Sequence, residues 1–178
     1  IDPLDGTTNY SVKNPFFCVS LGLLKNSELI LGIVYAPFTK ELFVAEKGKG
    51  AYLNGKRIFV SGRSELKASM CVFCHGKSEE NVSKILEIYR NIKPKVRDFN
   101  QMRAGALELS FVAAGRVDSF VYPGMRPWDV AAGVLLVREA GGKVTDFEGN
   151  EWDVNNKDLL ASNGRVHDKI LGIIKKSL

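Results

Sequence analysis

The sequence predicts an α+β protein built from alternating layers of sheet and helix, and three observations carry that prediction. The first sixty residues alternate apolar runs with short polar turns, the pattern of consecutive antiparallel strands. Two later segments, 103–114 and 127–140, read as helices, and the interior of the second, Val130–Val137, is apolar nearly all round, so both its faces must be buried. The strand pattern then returns at Asp118–Tyr122, Lys143–Phe147 and Leu159–Ser162. With 178 residues, of which 45% are hydrophobic and 10% aromatic, the chain can bury one sizeable core.

Each element follows from local signals. Phe16–Leu24 and Leu29–Ala36, separated by Lys25-Asn26-Ser27-Glu28, predict a hairpin. Pro37-Phe38-Thr39-Lys40 turns the chain into a third strand at Glu41–Glu46. Gly48, Gly50 and Asn54-Gly55 punctuate shorter extended pieces at Ala51–Leu53 and Arg57–Val60. Ala68–Cys74 reads as a further strand. Ser78 is placed to cap a helix reaching Ile92, with Val82, Ile85, Leu86 and Tyr89 on one face, and Pro94 stops it. Val96–Phe99 predicts a short strand, and Gly115 ends the helix of 103–114. Pro127-Trp128-Asp129 opens the next helix, where Pro suits the first turn and Asp129 meets the positive end of the helix dipole. Gly141-Gly142 ends it, and His167–Leu178 closes the chain as an amphipathic helix.

The first ten residues carry chemistry rather than packing. Asp2 and Asp5 stand three apart and lead into Gly6-Thr7, while Pro3 cannot donate to a sheet ladder, so an apolar strand ending at Ile1 is expected to turn here. Such a turn can hold a divalent cation on its acids and a phosphate on its free N–H groups. Asp129, at a distant helix start, is the third acid worth weighing. Because the chain does not begin with Met and Ile1 reads as the buried end of a strand, we expect sequence upstream.

Composition narrows the function classes. The formal net charge of +5 suits an anionic partner, but the basic residues are scattered, and the densest run, Lys47-Gly48-Lys49-Gly50 to Lys56-Arg57, reads as a hairpin edge guarded by lysines. With no aromatic-interleaved basic stripe, nucleic acid is not an expected partner. Cys18, Cys71 and Cys74 are too few for a disulfide scaffold. Cys71-Val72-Phe73-Cys74 has the spacing of a redox or zinc pair but lies in an apolar run without a second pair, so all three read as reduced and structural. No leader or long apolar span is visible, which predicts a soluble, cytoplasmic protein with no membrane partner. His75 and His167 read as surface residues.

Asp2-Pro3-Leu4-Asp5-Gly6-Thr7-Thr8-Asn9, together with Trp128-Asp129-Val130-Ala131-Ala132-Gly133 and Arg138-Glu139-Ala140-Gly141-Gly142, resembles the inositol monophosphatase family. The similarity extends through Lys47–Gly55, Val112-Ala113-Ala114-Gly115 and Ala161-Ser162-Asn163-Gly164. The resemblance implies an α-β-α-β-α layered sandwich of the sugar phosphatase type, here without its N-terminal portion, with 1–178 as the C-terminal part of one domain. It further implies a Mg²⁺-dependent, lithium-sensitive phosphomonoesterase, usually a homodimer, using two or three metal ions, with Mn²⁺ as a substitute. Asp2 would bridge two metals, the Leu4 carbonyl would ligate the first, and Asp5 and Asp129 would complete the second. Gly6 and Thr7 would offer N–H groups to phosphate, and the Thr7 hydroxyl would orient the attacking water. Asp5, Arg103, Gly105, Ala106 and Tyr122 would contact the substrate. An all-oxygen ligand set suits a hard octahedral ion.

Three departures from the family pattern shape the expectations. The family places a Glu upstream of the opening turn as a ligand of the first metal, so the 178 residues alone are expected to hydrolyse phosphomonoesters poorly. Tyr122 stands where many inositol-hydrolysing members carry a Glu, which changes the hydroxyls that can be held. The segment Arg103–Leu109 is two residues shorter than usual. A broader sugar phosphatase, including one acting on fructose 1,6-bisphosphate, is therefore the rival reading. Nucleotide phosphatases usually carry charge where this chain has Thr8-Asn9-Tyr10, and rank third. A non-catalytic metal- or phosphate-binding dimerisation module is the alternative from another class.

Overall fold

The computed structural model describes residues 1–178. Its first sheet is a six-stranded antiparallel meander of β1 (Asp2–Asp5), β2 (Cys18–Lys25), β3 (Glu28–Ala36), β4 (Glu41–Glu46), β5 (Gly50–Leu53) and β6 (Lys56–Ile58) in sequential order. Two of its hairpins close through residue pairs with positive φ, Asn26-Ser27 at 51° and 65° and Asn54-Gly55 at 48° and 77°. Turns of that hand match the twist of the strands they join.

The second sheet contains β7 (Met70–Phe73), β8 (Asp98–Gln101), β9 (Ser119–Pro123), β10 (Lys143–Thr145) and β11 (Asp158–Ser162). Its order is β10-β11-β9-β7-β8, with β7 parallel to both neighbours. Between the sheets lie α3 (Gly105–Ala113) and α4 (Pro127–Glu139), whose interiors are almost wholly buried. Glycine allows the close approach: a Cβ on Gly32 would lie 2.6 Å from the carbonyl oxygen of Ala132 in α4. Helices α2 (Glu79–Ile92) and α5 (His167–Ser177) cover the second sheet, burying Ile85, Ile88, Ile170 and Ile174 against Phe99, Val121 and Leu160.

Four layers, β-α-β-α, are thus formed. The outer face of the first sheet exposes Val19, Leu23, Tyr35 and Leu42.

The opening stretch departs from expectation. Asp2–Asp5 is a strand rather than a turn, and Thr7–Ser11 forms a one-turn helix, α1. Long-range pairing overrides the poor strand propensity of Asp and Pro. Asp2 pairs with Ser20 and Asp5 with Cys18, so β1 carries one residue more than its partner between those pairs, a bulge that accommodates Pro3. Ile1 is 76% exposed rather than buried. Elsewhere the corrections are to element ends. The helix expected from 103 starts at Gly105, because Arg103 is left-handed at φ 65°. Pro94 sits inside a 3₁₀ turn, Lys93–Lys95, that delays the following strand to Asp98.

Candidate active site

The site begins at the β1 bulge. Asp2 Oδ1 accepts the backbone N–H of Leu4 at 3.0 Å, which folds that side chain back over its own strand. Gly6 then takes φ 87°, and a Cβ there would stand 2.9 Å from the Phe16 carbonyl oxygen, so the turn into α1 requires glycine. Thr7 and Thr8 are exposed at the start of α1, where the first N–H groups of a helix have no intrahelical partner. Buried Asn9 ties α1 down by donating from Nδ2 to the carbonyls of Phe16 at 2.7 Å and Met102 at 2.8 Å.

Two further carboxylates come from different elements. Asp5 Oδ2 accepts the Ala106 N–H at 2.8 Å and the Cys18 thiol at 3.6 Å. Burial pushes the Asp5 carboxyl up to about 7; the Ala106 hydrogen bond opposes the rise and the Asp2 charge adds to it. Asp129, in the first turn of α4, accepts the Arg126 N–H and the Tyr122 hydroxyl on Oδ2, each at 3.1 Å. Burial raises its acid above the ordinary range against the pull of those two bonds. No Lys or Arg pairs with any of the three.

One cleft of about 560 Å³ brings Asp2, Leu4, Asp5 and the Gly6-Thr7 turn together with Asp129. Arg103, Gly105 and Tyr122 line its far wall, with the Tyr122 hydroxyl already committed to Asp129. Ala106 does not line the cleft. It is fully buried, its N–H holds Asp5, and so the expected substrate contact is replaced by a supporting one.

Other cleft residues escaped sequence reasoning: His75, Lys77 and Asn81 beyond β7, and Arg126 and Trp128 before and within α4. The available signal was the parallel pair β7–β9, because ligands gather beyond the carboxyl ends of parallel strands. His75 is half-buried on this wall rather than at the surface. His167 is fully buried, with its ring nitrogens bonded to the hydroxyls of Thr145 at 3.0 Å and Ser162 at 2.9 Å. Burial lowers its pKa to about 4. The cysteines are all free, and burial raises each thiol, that of Cys71 to about 12, as expected of inert structural cysteines.

The donor chemistry fits a hard cation. Each of the three carboxylates commits one oxygen to protein hydrogen bonds, and Asp2 Oδ2, Asp5 Oδ1 and Asp129 Oδ1 accept none. The arrangement is not a closed cage, since no three His, Cys, Asp or Glu side chains form a ready-made metal group anywhere in the chain. Mg²⁺ commonly takes only one or two carboxylates and fills its shell with water and substrate phosphate.

Two sheets enclosing a helix pair, with an acid-floored cleft beside a glycine turn, define a protein of the sugar phosphatase fold class. The chain belongs to the inositol monophosphatase family, whose family model matches residues 1–178. It is 40% identical over 176 residues to the fructose-1,6-bisphosphatase/inositol-1-monophosphatase of Thermotoga maritima, covering 99% of this chain and 67% of that protein. It is 39% identical over 179 residues to the Nus factor SuhB of Escherichia coli, again covering 67% of the relative. Among solved structures, a Thermotoga maritima IMPase superposes with a TM-score of 0.93 at 37% identity, covering 99% of this chain and 68% of that one. The chain therefore spans about two thirds of the length of these relatives. No helix is long and apolar enough to cross a membrane.

Proposed function

We propose that this cleft belongs to a Mg²⁺-dependent phosphomonoesterase acting on small polyol or sugar phosphates. The observation that carries the reading is the juxtaposition of three carboxylates, unpaired with any cation, and the Gly6-Thr7 turn in one cleft. Two Mg²⁺ ions held by Asp2, Asp5, Asp129 and the Leu4 carbonyl would polarise the phosphoryl group and acidify a water. The amides of Gly6 and Thr7 hold phosphate oxygens, and the Thr7 hydroxyl accepts or donates a hydrogen bond to orient the attacking water. Ala106, Leu4 and Arg126 fix the carboxylates through backbone N–H groups, so their free oxygens keep a set direction.

A second reading, a doubly phosphorylated sugar such as fructose 1,6-bisphosphate, is favoured by the cleft rim. Lys77, Arg103 and Arg126 line it and none forms an ion pair, leaving positive charge for a second phosphate. Tyr122, in place of an acceptor-only carboxylate, weakens a strict preference for inositol.

Phosphate release by the full-length protein from inositol 1-phosphate, fructose 1,6-bisphosphate and adenosine 3′,5′-bisphosphate, with and without Mg²⁺, tests both readings. Metal-dependent release from the first two, and little from the third, is expected. Mg²⁺ binding without turnover on any of them would turn the reading toward a non-catalytic module. The reading also carries a homodimer in the cytoplasm, which light scattering and fractionation check.

A further inference from the structure

Helix α3 is apolar except for Glu108 and Ser110, and Glu108 is completely buried. A buried carboxylate with no cation beside it is expensive to keep. Its oxygens accept the N–H of Met102 at 3.1 Å and of Ala104 at 3.2 Å. Those two amides flank Arg103, held at φ 65°, a conformation that costs a non-glycine residue about 1–2 kcal/mol. Glu108 thus closes, from inside the helix, a turn the local sequence disfavours.

Four features of the cleft depend on that turn. The Met102 carbonyl receives Asn9 Nδ2 at 2.8 Å, which seats α1. The Ala106 N–H holds Asp5 Oδ2 at 2.8 Å. Gly105 lies so close to Tyr122 that a Cβ would stand 3.3 Å from its ring. Arg103 itself lines the cleft wall.

We propose that Glu108 is a positioning residue for the site, acting through the 102–106 turn to fix the Asp5 carboxylate and to seat the phosphate-facing helix α1. The inference rests on the reading of the cleft as a metal and phosphate site. Glu108 touches neither metal nor substrate; it acts through Ala106 and Met102. A plain helix cap would influence only the start of α3, whereas this role reaches Asp5 through Ala106, 101 residues from Asp5 in sequence.

The test compares the native full chain with Glu108→Gln. The glutamine NH₂ confronts one of the two amides and so releases half of the clamp. Ser110→Ala is the control, from the same helix, equally buried, its hydroxyl bonded only to the Ala106 carbonyl at 2.8 Å. Amide hydrogen exchange without metal is expected to speed up about tenfold over residues 2–11 in Glu108→Gln and to stay within about twofold in Ser110→Ala. Mg²⁺ binding by calorimetry is expected to weaken about fivefold in the first and not in the second. Faster exchange confined to 102–113 overturns the proposal. If Glu108→Gln does not fold, Glu108→Asp, whose shorter arm cannot hold both amides, is measured in the same way. A native chain that binds no Mg²⁺ overturns the functional reading instead, and exchange over 2–11 still decides the clamp.

Discussion

Gly133 is a point where the two buried helices behind the site meet, and replacing it with alanine sets two effects against each other. A Cβ at Gly133 would stand 2.4 Å from Leu109 Cβ and 2.6 Å from Leu109 Cδ1. Because a Cβ cannot rotate away, α3 or α4 must shift. Helix propensity favours alanine by about 1 kcal/mol. Overpacking a filled core costs about 1–3 kcal/mol, and a contact with a fixed carbon belongs in the upper half of that range. Gly133→Ala is therefore expected to lose a net 1–2 kcal/mol or so, which lowers the urea midpoint by about 0.5–1 M. The site should respond as well. Helix α3 carries the Ala106 amide that holds Asp5, and α4 carries Asp129 in its first turn, so separating the helices moves the two acids apart. Urea unfolding and Mg²⁺ calorimetry measure the two effects separately. A variant more stable than native refutes the ranking of packing above propensity. A destabilised variant with native Mg²⁺ affinity refutes the mechanical link between this contact and the site.

Three further outcomes follow from named groups. Burial holds Asp5 at about 7, above its unfolded value near 4, so the folded state resists losing this proton and native stability falls as pH rises through that window. Asp5→Asn should accordingly gain about 1–3 kcal/mol at pH 8 without Mg²⁺ and lose the Mg²⁺-induced rise in Tm; thermal unfolding at pH 5 and 8 checks both, and a lower Tm than native at pH 8 without metal counts against it. His167 runs the other way, since its pKa is lowered from 6.5 to about 4: its contribution is complete above pH 6.5 and disappears as pH falls toward 4, worth about 2–3 kcal/mol, and His167→Asn should show a shallower loss of urea midpoint across that range. Gly6→Ala forces an L side chain into φ 87° with its Cβ 2.9 Å from the Phe16 carbonyl oxygen, so a loss of about 2 kcal/mol in thermal stability and at least about tenfold in phosphate release is expected.

What could be read from the sequence was local. Strands β2 to β6 of the meander were legible because their periods and their Asn-Gly and Asn-Ser turns lie within a few residues of one another, and α4 because a segment that is apolar all round has nowhere to go but the interior. The acids Asp2, Asp5 and Asp129 were legible by chemistry and by resemblance to a family. Misread features depend on distant partners. Asp2–Asp5 becomes a strand only through Ser20 and Cys18, and a five-residue helix such as α1 is too short to show a period. The left-handed turn at Arg103 is held by Glu108, so no local signal announces it. His167 disappears into the core because Thr145 and Ser162, on two other strands, satisfy its ring. The wall containing His75 and Lys77 reaches the cleft only through the parallel pairing of β7 with β9.

Asp118 shows what distinguishes the three cleft acids from an ordinary buried carboxylate. Unlike them it is fully buried, and Arg63 Nε reaches both of its oxygens at 2.9 Å, with the Met70 N–H, the Ser61 hydroxyl and the Asn163 amide also donating to it. Its charge is neutralised and its oxygens are occupied, so it can only hold the 61–63 segment against the second sheet. Asp2, Asp5 and Asp129 are each fixed by a backbone amide, from Leu4, Ala106 and Arg126, and none of them forms an ion pair. An amide supplies direction without cancelling charge. The cleft therefore holds negative charge that is oriented but not neutralised, and burial raises the pKa of Asp5 and Asp129 for that reason. Such an arrangement lowers the stability of the metal-free protein and is relieved by a bound cation, which is why Asp5→Asn should stabilise the fold while removing the Mg²⁺ response. Replacing Asp118 by Asn should do the opposite, destabilising the fold by leaving Arg63 unpaired while Mg²⁺ binding stays at the native value.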